Sequence, residues 1–135
     1  MRITADTNLL VRVIVNDDVA QAQTAIRILA DAEAVIIPSP CLCEFAWVLE
    51  RTYHLPTPMI SRSLRAILGR GNVETDTAIV EAGLQVLDAG GDFADGVMAS
   101  AGAQMGAEHF TSFDRKAVAR VNAIGIPAKL ATAAP

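Results

Sequence analysis

Short apolar runs alternate along this chain with longer stretches in which apolar residues recur at helical spacing. The runs at residues 2–5, 34–38 and 109–112 predict short strands of a buried parallel sheet, and residues 72–75 and 126–130 predict two minor strands. The longer stretches predict helices at residues 8–15, 18–32, 39–53, 57–69, 76–87, 93–105 and 114–122. This alternation indicates an α/β fold with parallel strands.

Capping residues mark several of the helix starts. Ser39 and Thr57 are each followed by proline, a pairing typical of a first helical turn, and Asp92 is placed to cap the helix at residues 93–105. The chain length of 135 residues suits one domain with a single core. We therefore expect one domain over residues 1–130 and a flexible tail over residues 131–135.

The composition narrows the class of protein. Apolar residues make up 52% of the chain and aromatic residues only 4%, which favours helices packed on a buried aliphatic sheet. A net charge of −4 argues against general nucleic-acid binding by bulk electrostatics, but it does not exclude a local basic groove. No apolar stretch is long enough for a membrane span and no signal peptide is visible, so we expect a soluble cytoplasmic protein. Cys41 and Cys43 are expected to be buried, reduced thiols.

Four carboxylates lie where predicted elements begin or end. Asp6 follows the first strand, and Asp114 follows the strand that ends at residue 112. Glu44 and Asp95 lie in the first turns of their helices. Because the carboxyl ends of parallel strands and the helix N-termini meet at one edge of a sheet, we expect all four to reach that edge. Such a cluster repels itself unless a cation is present, and its oxygen ligands are those that Mg²⁺ or Mn²⁺ prefers.

The chemistry that such a cation site favours is hydrolysis of a phosphodiester. A Ser-His-Asp arrangement has no support, because neither of the two histidines lies in a nucleophile motif. The chain also lacks the glycine-rich loop that binds nucleoside triphosphates. A phosphoryl-transfer receiver or phosphatase of similar topology is disfavoured, since residues 6–8 (DTN) supply only one carboxylate.

Four short motifs carry these acids: residues 6–12 (DTNLLVR), Glu44 with residues 47–49 (WVL), residues 92–95 (DFAD) and residues 112–115 (SFDR). Together they resemble the motifs of a PIN domain. Over residues 2–121 the chain is most similar to the VapC toxins of bacterial toxin–antitoxin pairs. The resemblance implies a three-layer α/β/α fold with a central, mostly parallel sheet of four to five strands. It also implies an endoribonuclease that depends on Mg²⁺ or Mn²⁺, forms a homodimer and is held inactive by a cognate antitoxin.

The resemblance also assigns roles to individual residues. It makes Asp6, Glu44, Asp95 and Asp114 the acidic quartet that is both catalytic and metal-binding. Ser112 stands where the family more often has threonine, and its hydroxyl is expected to orient Asp114 or bind a metal-bound water. Gly96 stands where alanine is commoner, which lowers helix propensity by up to about 1 kcal/mol next to Asp95.

Further residues are expected to support the quartet. Asn8 is placed to hydrogen-bond Asp6 or a metal-bound water. Asp92 is assigned to helix capping, with a possible second role beside the metal, and Asp95 is favoured over it as a ligand. The cations expected to contact the phosphate backbone are Arg12, Arg115 and Lys116.

Two alternatives remain open at this point. For Trp47, packing in the core or in a dimer interface is favoured over base stacking, and the helices at residues 39–53 and 57–69 are the expected dimer surface. For the function, the alternative to a ribonuclease is a catalytically weak module that acts mainly in an antitoxin-containing repressor complex on DNA. Contact with DNA is expected only through the antitoxin, and RNA is the expected substrate.

Overall fold

A computed structural model describes residues 1–132 of the chain, which divide after Asp76 into two compact units. The first unit contains the strands β1 (Arg2–Thr4), β2 (Ala34–Ile36) and β3 (Val73–Glu74) and the helices α1 (Thr7–Ile14), α2 (Val19–Asp31), α3 (Ser39–Arg51) and α4 (Thr57–Leu68). The second contains α5 (Thr77–Asp88), α6 (Phe93–Gln104), β4 (Phe110–Ser112), α7 (Arg115–Ala123) and β5 (Ala128–Leu130).

The first unit is built on a parallel three-stranded ladder in the order β1-β2-β3. One backbone hydrogen bond continues it past the end of β1, since the Ala5 N–H donates to the Ile36 carbonyl at 3.0 Å. Aliphatic side chains and one aromatic ring fill the core, as the composition predicts. The fully buried side chains of this unit include Leu10, Leu29, Val35, Phe45, Leu49 and Leu64.

The second unit pairs β4 with β5 in parallel and packs α5 tightly against α6. Two glycines permit this close approach. A Cβ atom at Gly83 of α5 would lie 2.7 Å from the Phe93 ring, and one at Gly96 of α6 would lie 2.7 Å from the Gly83 Cα. No side chain fits at such separations, so the two helices meet backbone to backbone at this point.

The predicted α/β class with parallel strands is confirmed, and every predicted helix and strand is present within a few residues of its expected bounds. The pairing of the strands differs from the expected single sheet. Among the described residues, hydrogen bonds join the strands into one set of three and one set of two. The strands have only two or three residues each, so each ladder offers few backbone groups for a further neighbour.

The expected caps at Ser39 and Thr57 are wrong by one residue. The N-cap positions are Pro38 and Pro56, both with extended backbone, and neither helix has a side-chain cap. Ser39 and Thr57 instead form the first helical positions, with Pro40 and Pro58 directly after them. Proline has no side-chain oxygen that could accept a backbone N–H, which explains why neither helix start has a side-chain cap.

Two further expectations concern the ends and the surroundings of the chain. The Ala131 N–H donates to the Ser112 carbonyl at 2.7 Å, so the backbone pairing of β5 extends into the predicted tail. Residues 133–135 of that tail lie outside the described residues. None of the helices in residues 1–132 has the length and apolarity that a membrane crossing requires.

Candidate active site

The first acid of the predicted quartet, Asp6, links the end of β1 to the start of α1. It occupies the N-cap position with extended backbone, yet its side chain makes no cap hydrogen bond. The residue is exposed, while Thr7 beside it is buried and donates a long hydrogen bond from its hydroxyl to the Cys41 Sγ at 3.8 Å. The backbone at Asp6 is therefore anchored to α3, and its carboxylate stays available for a ligand.

The second acid, Glu44, lies in the second turn of α3 with its side chain exposed. The Cys41 thiol is affected by both Glu44 and Asp6. Burial raises the pKa of Cys41, the Thr7 hydrogen bond opposes this, and the charges of Asp6 and Glu44 raise the pKa further. Both carboxylates thus lie close enough to Cys41 to act on one half-buried thiol. Cys41 and Cys43 are both only partly buried, so the expectation that these thiols are buried is wrong in degree.

The remaining acids belong to the second unit, where they start two helices. Asp92 caps α6 by accepting the Ala94 N–H at 3.1 Å, which confirms its predicted capping role. Asp114 caps α7 through its Oδ1 atom, which accepts the N–H groups of Lys116 at 2.9 Å and Ala117 at 3.2 Å. Both cap bonds use the same oxygen, so the other carboxylate oxygen of Asp114 can still bind a ligand. Capping and metal binding by one carboxylate, as the sequence predicts, are therefore compatible.

Ser112 has the orienting role expected for it. Its hydroxyl oxygen accepts the Asp114 N–H at 3.0 Å, so the side chain fixes the backbone of the acid rather than its carboxylate. Threonine, the commoner residue in the family that the motifs resemble, carries the same hydroxyl. The substitution therefore leaves this hydrogen bond in place.

Asp95 lies in the first turn of α6 and is half-buried. Burial raises the pKa of this carboxyl, and the neighbouring charges of Asp92 and Asp114 raise it further, while Arg120 partly opposes them. The three acids of this unit therefore repel one another across a partly desolvated space. A cation at this position would relieve that repulsion.

Sequence reasoning missed Arg120, which lies on α7 and is the basic residue that acts on Asp95. Its side chain runs over the turn that joins α5 to α6. A Cβ atom at Gly91 would lie 2.6 Å from the Arg120 Cδ, so the absence of a side chain at Gly91 leaves room for the arginine. The Gly90-Gly91 pair directly before Asp92 is the only sequence signal of this packing.

The residues fit a hard divalent cation in their chemistry. Within residues 1–132, no three acidic, cysteine or histidine side chains lie close enough together to form a ready-made metal cage. Mg²⁺ rarely uses such cages, because it keeps several waters and is held by one or two carboxylates together with substrate phosphates. Asp6 with Glu44, and Asp95 with Asp114, supply carboxylates of the type that such a site needs. That all four bind one metal site stays a prediction.

The predicted phosphate contacts differ in their availability. Arg12 is not a free cation, because its Nη1 atom forms an ion pair with Asp17 Oδ1 at 2.7 Å. Asp17 also accepts a hydrogen bond from the Tyr53 hydroxyl at 3.2 Å, so the pair is fixed from a second side. Arg115 and Lys116 are exposed in the first turn of α7, and the described residues contain no ion pair that engages either.

Asn8 and Trp47 lie on the surface of the first unit. Asn8 is exposed in the first turn of α1, and it lines the same cleft as Asp6 and Arg12. Trp47 is 55% exposed, so packing in the core of the chain is wrong for this residue. The guanidinium of Arg51 lies over the indole at 5.9 Å from its centre, a cation–π contact on the outer face of α3.

The alternating parallel fold, with acids at the strand ends and helix starts, defines a class of α/β domain whose carboxylates are suited to bind a divalent cation. Comparison with known families makes this more specific, since the model of the PIN domain matches residues 3–123. The chain belongs to the PIN domain family. PIN domains are generally nucleases and typically use divalent metals. No curated protein matches the chain.

Proposed function

We propose that this protein is a ribonuclease toxin of the VapC type, dependent on Mg²⁺ or Mn²⁺ and neutralised by a cognate antitoxin. The observation that carries the proposal is the set of mutually repelling carboxylates around half-buried Asp95. Mutual repulsion among these carboxylates destabilises the folded protein, and a bound cation would relieve it. Carboxyl groups with such perturbed pKa values are common in functional sites. Membership of the PIN family, whose domains are generally nucleases, supports the same conclusion.

The chain's own residues would divide the work. Asp6, Glu44, Asp95 and Asp114 would hold the cation. When bound, the cation would lower the pKa of an attacking water and neutralise the nonbridging phosphate oxygens. Arg115 and Lys116, exposed beside Asp114, are suited to contact the backbone phosphates of RNA. Asp92 and Ser112 hold the two helix starts in place, so they would orient the acids.

The toxin assignment rests on the motifs at residues 6–12, 47–49, 92–95 and 112–115, which are most similar to VapC toxins. Exposed apolar side chains support a protein partner. Trp47 on α3 is 55% exposed and Met59 on α4 is 47% exposed, and aromatic residues and methionine are enriched in protein interfaces. We propose that α3 and α4 form a homodimer surface and that DNA is reached only through the antitoxin, in the cytoplasm.

The first experiment is metal-dependent cleavage of RNA by the purified protein. Asp6→Asn removes a metal ligand without changing the side-chain shape, and it should abolish cleavage with Mg²⁺ or Mn²⁺. Asp31→Asn is the matched control, because Asp31 is an exposed acid at the end of α2 in the same unit. The control should cleave like the wild type, and EDTA should stop both. Equal cleavage by the two variants would refute the metal role of Asp6.

The second experiment addresses the toxin role in cells. Induction of the wild-type chain should arrest growth, and Asp6→Asn should not. Co-expression of the cognate antitoxin, to be sought first in the gene directly upstream, should restore growth. Toxicity that persists undiminished in Asp6→Asn would contradict the nuclease mechanism. A metal-loaded protein that binds the upstream gene product tightly but cleaves no RNA would instead favour the weak binding module.

A further inference from the structure

A cleft of about 540 Å³ opens between α1 and α2 in the first unit. Its size lies in the range of sites that bind small organic groups, roughly 300–1,000 Å³. Asp6, the proposed metal ligand, and Asn8 both line the cleft. The cleft therefore includes an acid of the candidate active site as well as residues of both helices.

The lining of the cleft combines an apolar surface with hydrogen-bonding groups. Leu9, Ala20 and Ala25 supply the apolar part. Gln21 supplies a carboxamide on the α2 side, near the helix start that is fixed by the bond from its backbone N–H to Asp18 Oδ1 at 3.0 Å. Thr24 donates its hydroxyl to the Ala20 carbonyl at 3.0 Å, so its oxygen remains only an acceptor toward the cleft.

The charge of the cleft away from Asp6 is close to neutral. Arg12 is the cation in the lining, and Asp17 neutralises it at 2.7 Å. A phosphate or an acidic peptide would therefore gain little there. A flat, uncharged group with hydrogen-bonding edges fits better, since aliphatic side chains can contact its faces and a carboxamide can pair with its edge.

We propose that this cleft binds the nucleobase of a nucleotide next to the scissile phosphate and that Gln21 reads its edge. The inference rests on the proposed ribonuclease function, because a phosphate held near Asp6 brings the attached nucleoside to the mouth of the cleft. Glutamine and asparagine carboxamides each present one donor and one acceptor side by side, the pattern that pairs with a base edge. Gln21 is thus a specificity-determining residue, and the chemistry of cleavage does not depend on it.

Cleavage of an RNA library with randomised sequence tests this assignment. The base preference at one position beside the cleavage site should fall about tenfold in Gln21→Ala, while the total rate changes little, because a bidentate base contact contributes discrimination of that order. Gln23→Ala is the matched control, since Gln23 is an exposed glutamine on the same helix outside the cleft. Its preference should equal that of the wild type.

A binding measurement gives a second readout that needs no cleavage. On titration with nucleoside 5′-monophosphates, the side-chain amide resonances of Gln21 should shift and those of Gln23 should not. If Gln21→Ala cleaves RNA with an unchanged base profile, the nucleobase assignment is wrong and the proposed function stands. The same conclusion follows if Gln21→Ala loses antitoxin binding while its base profile stays intact. Absence of any metal-dependent cleavage by the wild type, with no shift at Gln21, would overturn the proposed function and this inference together.

Discussion

Gly96 offers a test of the packing that positions Asp95, because it lies directly after this acid in α6. From sequence alone, glycine at this position weakens the helix, so Gly96→Ala should stabilise it by up to about 1 kcal/mol. The structure reverses that expectation. A Cβ atom at residue 96 would overlap the Ala82 carbonyl group and approach the Gly83 Cα to 2.7 Å. These are backbone atoms, which cannot move aside as the end of a flexible side chain does.

The net effect follows from two opposing terms. Overpacking of a tight interface costs about 1–3 kcal/mol, and the gain in helix propensity offsets at most about 1 kcal/mol of it. We expect Gly96→Ala to lower the free energy of unfolding by about 1–2 kcal/mol. For a chain of this length, that corresponds to a fall in melting temperature of roughly 4–8 °C.

Gly102→Ala in the same helix is the matched control. A Cβ atom there would meet only the Ala107 Cβ, at an ordinary separation of 3.8 Å. This variant should therefore be as stable as the wild type or slightly more so. Urea unfolding followed by circular dichroism measures both variants under the same conditions. If Gly96→Ala stabilises the protein as much as Gly102→Ala, the close approach of α5 and α6 does not exist as described.

Three other variants test the electrostatics and the capping. Asp95→Asn should stabilise the metal-free protein near neutral pH, because the raised folded-state pKa of Asp95 makes wild-type stability fall as pH rises above the ordinary aspartate range. In thermal melts with EDTA, the melting temperatures of the wild type and the variant should converge near pH 4. Asp114→Ala should lower stability by about 1 kcal/mol through the lost cap, Asp114→Asn should lower it less, and both variants should lose cleavage. Equal melting temperatures for the two variants would contradict the capping role. Glu44→Gln should speed alkylation of Cys41 by iodoacetamide, measured by peptide mass spectrometry, because it lowers the pKa of that thiol; an unchanged rate would place Glu44 away from it.

Local patterns in the sequence were sufficient to predict the helices and strands. Apolar spacing and the glycine and proline positions gave their bounds to within a few residues, and the capping roles of Asp92 and Asp114 followed from residue type alone. These features depend on neighbours a few positions apart. The chemistry of the helix starts is therefore readable without knowledge of the fold.

Long-range contacts were not predictable in the same way. The pairing of Arg12 with Asp17 depends on the path of the loop between α1 and α2, and the Tyr53 contact depends on where α3 ends. Arg120 acts on Asp95 only because a glycine turn lets its side chain pass. In each case the decisive quantity is a distance between elements, and residue spacing along the chain does not determine it.

The acids of the second unit are held in a way that would link binding of the proposed cation to folding. Asp92 and Asp114 each accept backbone N–H groups through one oxygen, so their positions are fixed before any cation arrives. Burial and the charges of Asp92 and Asp114 all disfavour the ionised form of Asp95, so the repulsion within the group acts mainly on this acid. The unfolded chain has no such repulsion, because its carboxylates are separated and hydrated. A cation that relieves the repulsion therefore binds the folded state more tightly than the unfolded state, and it stabilises the fold in proportion to that difference.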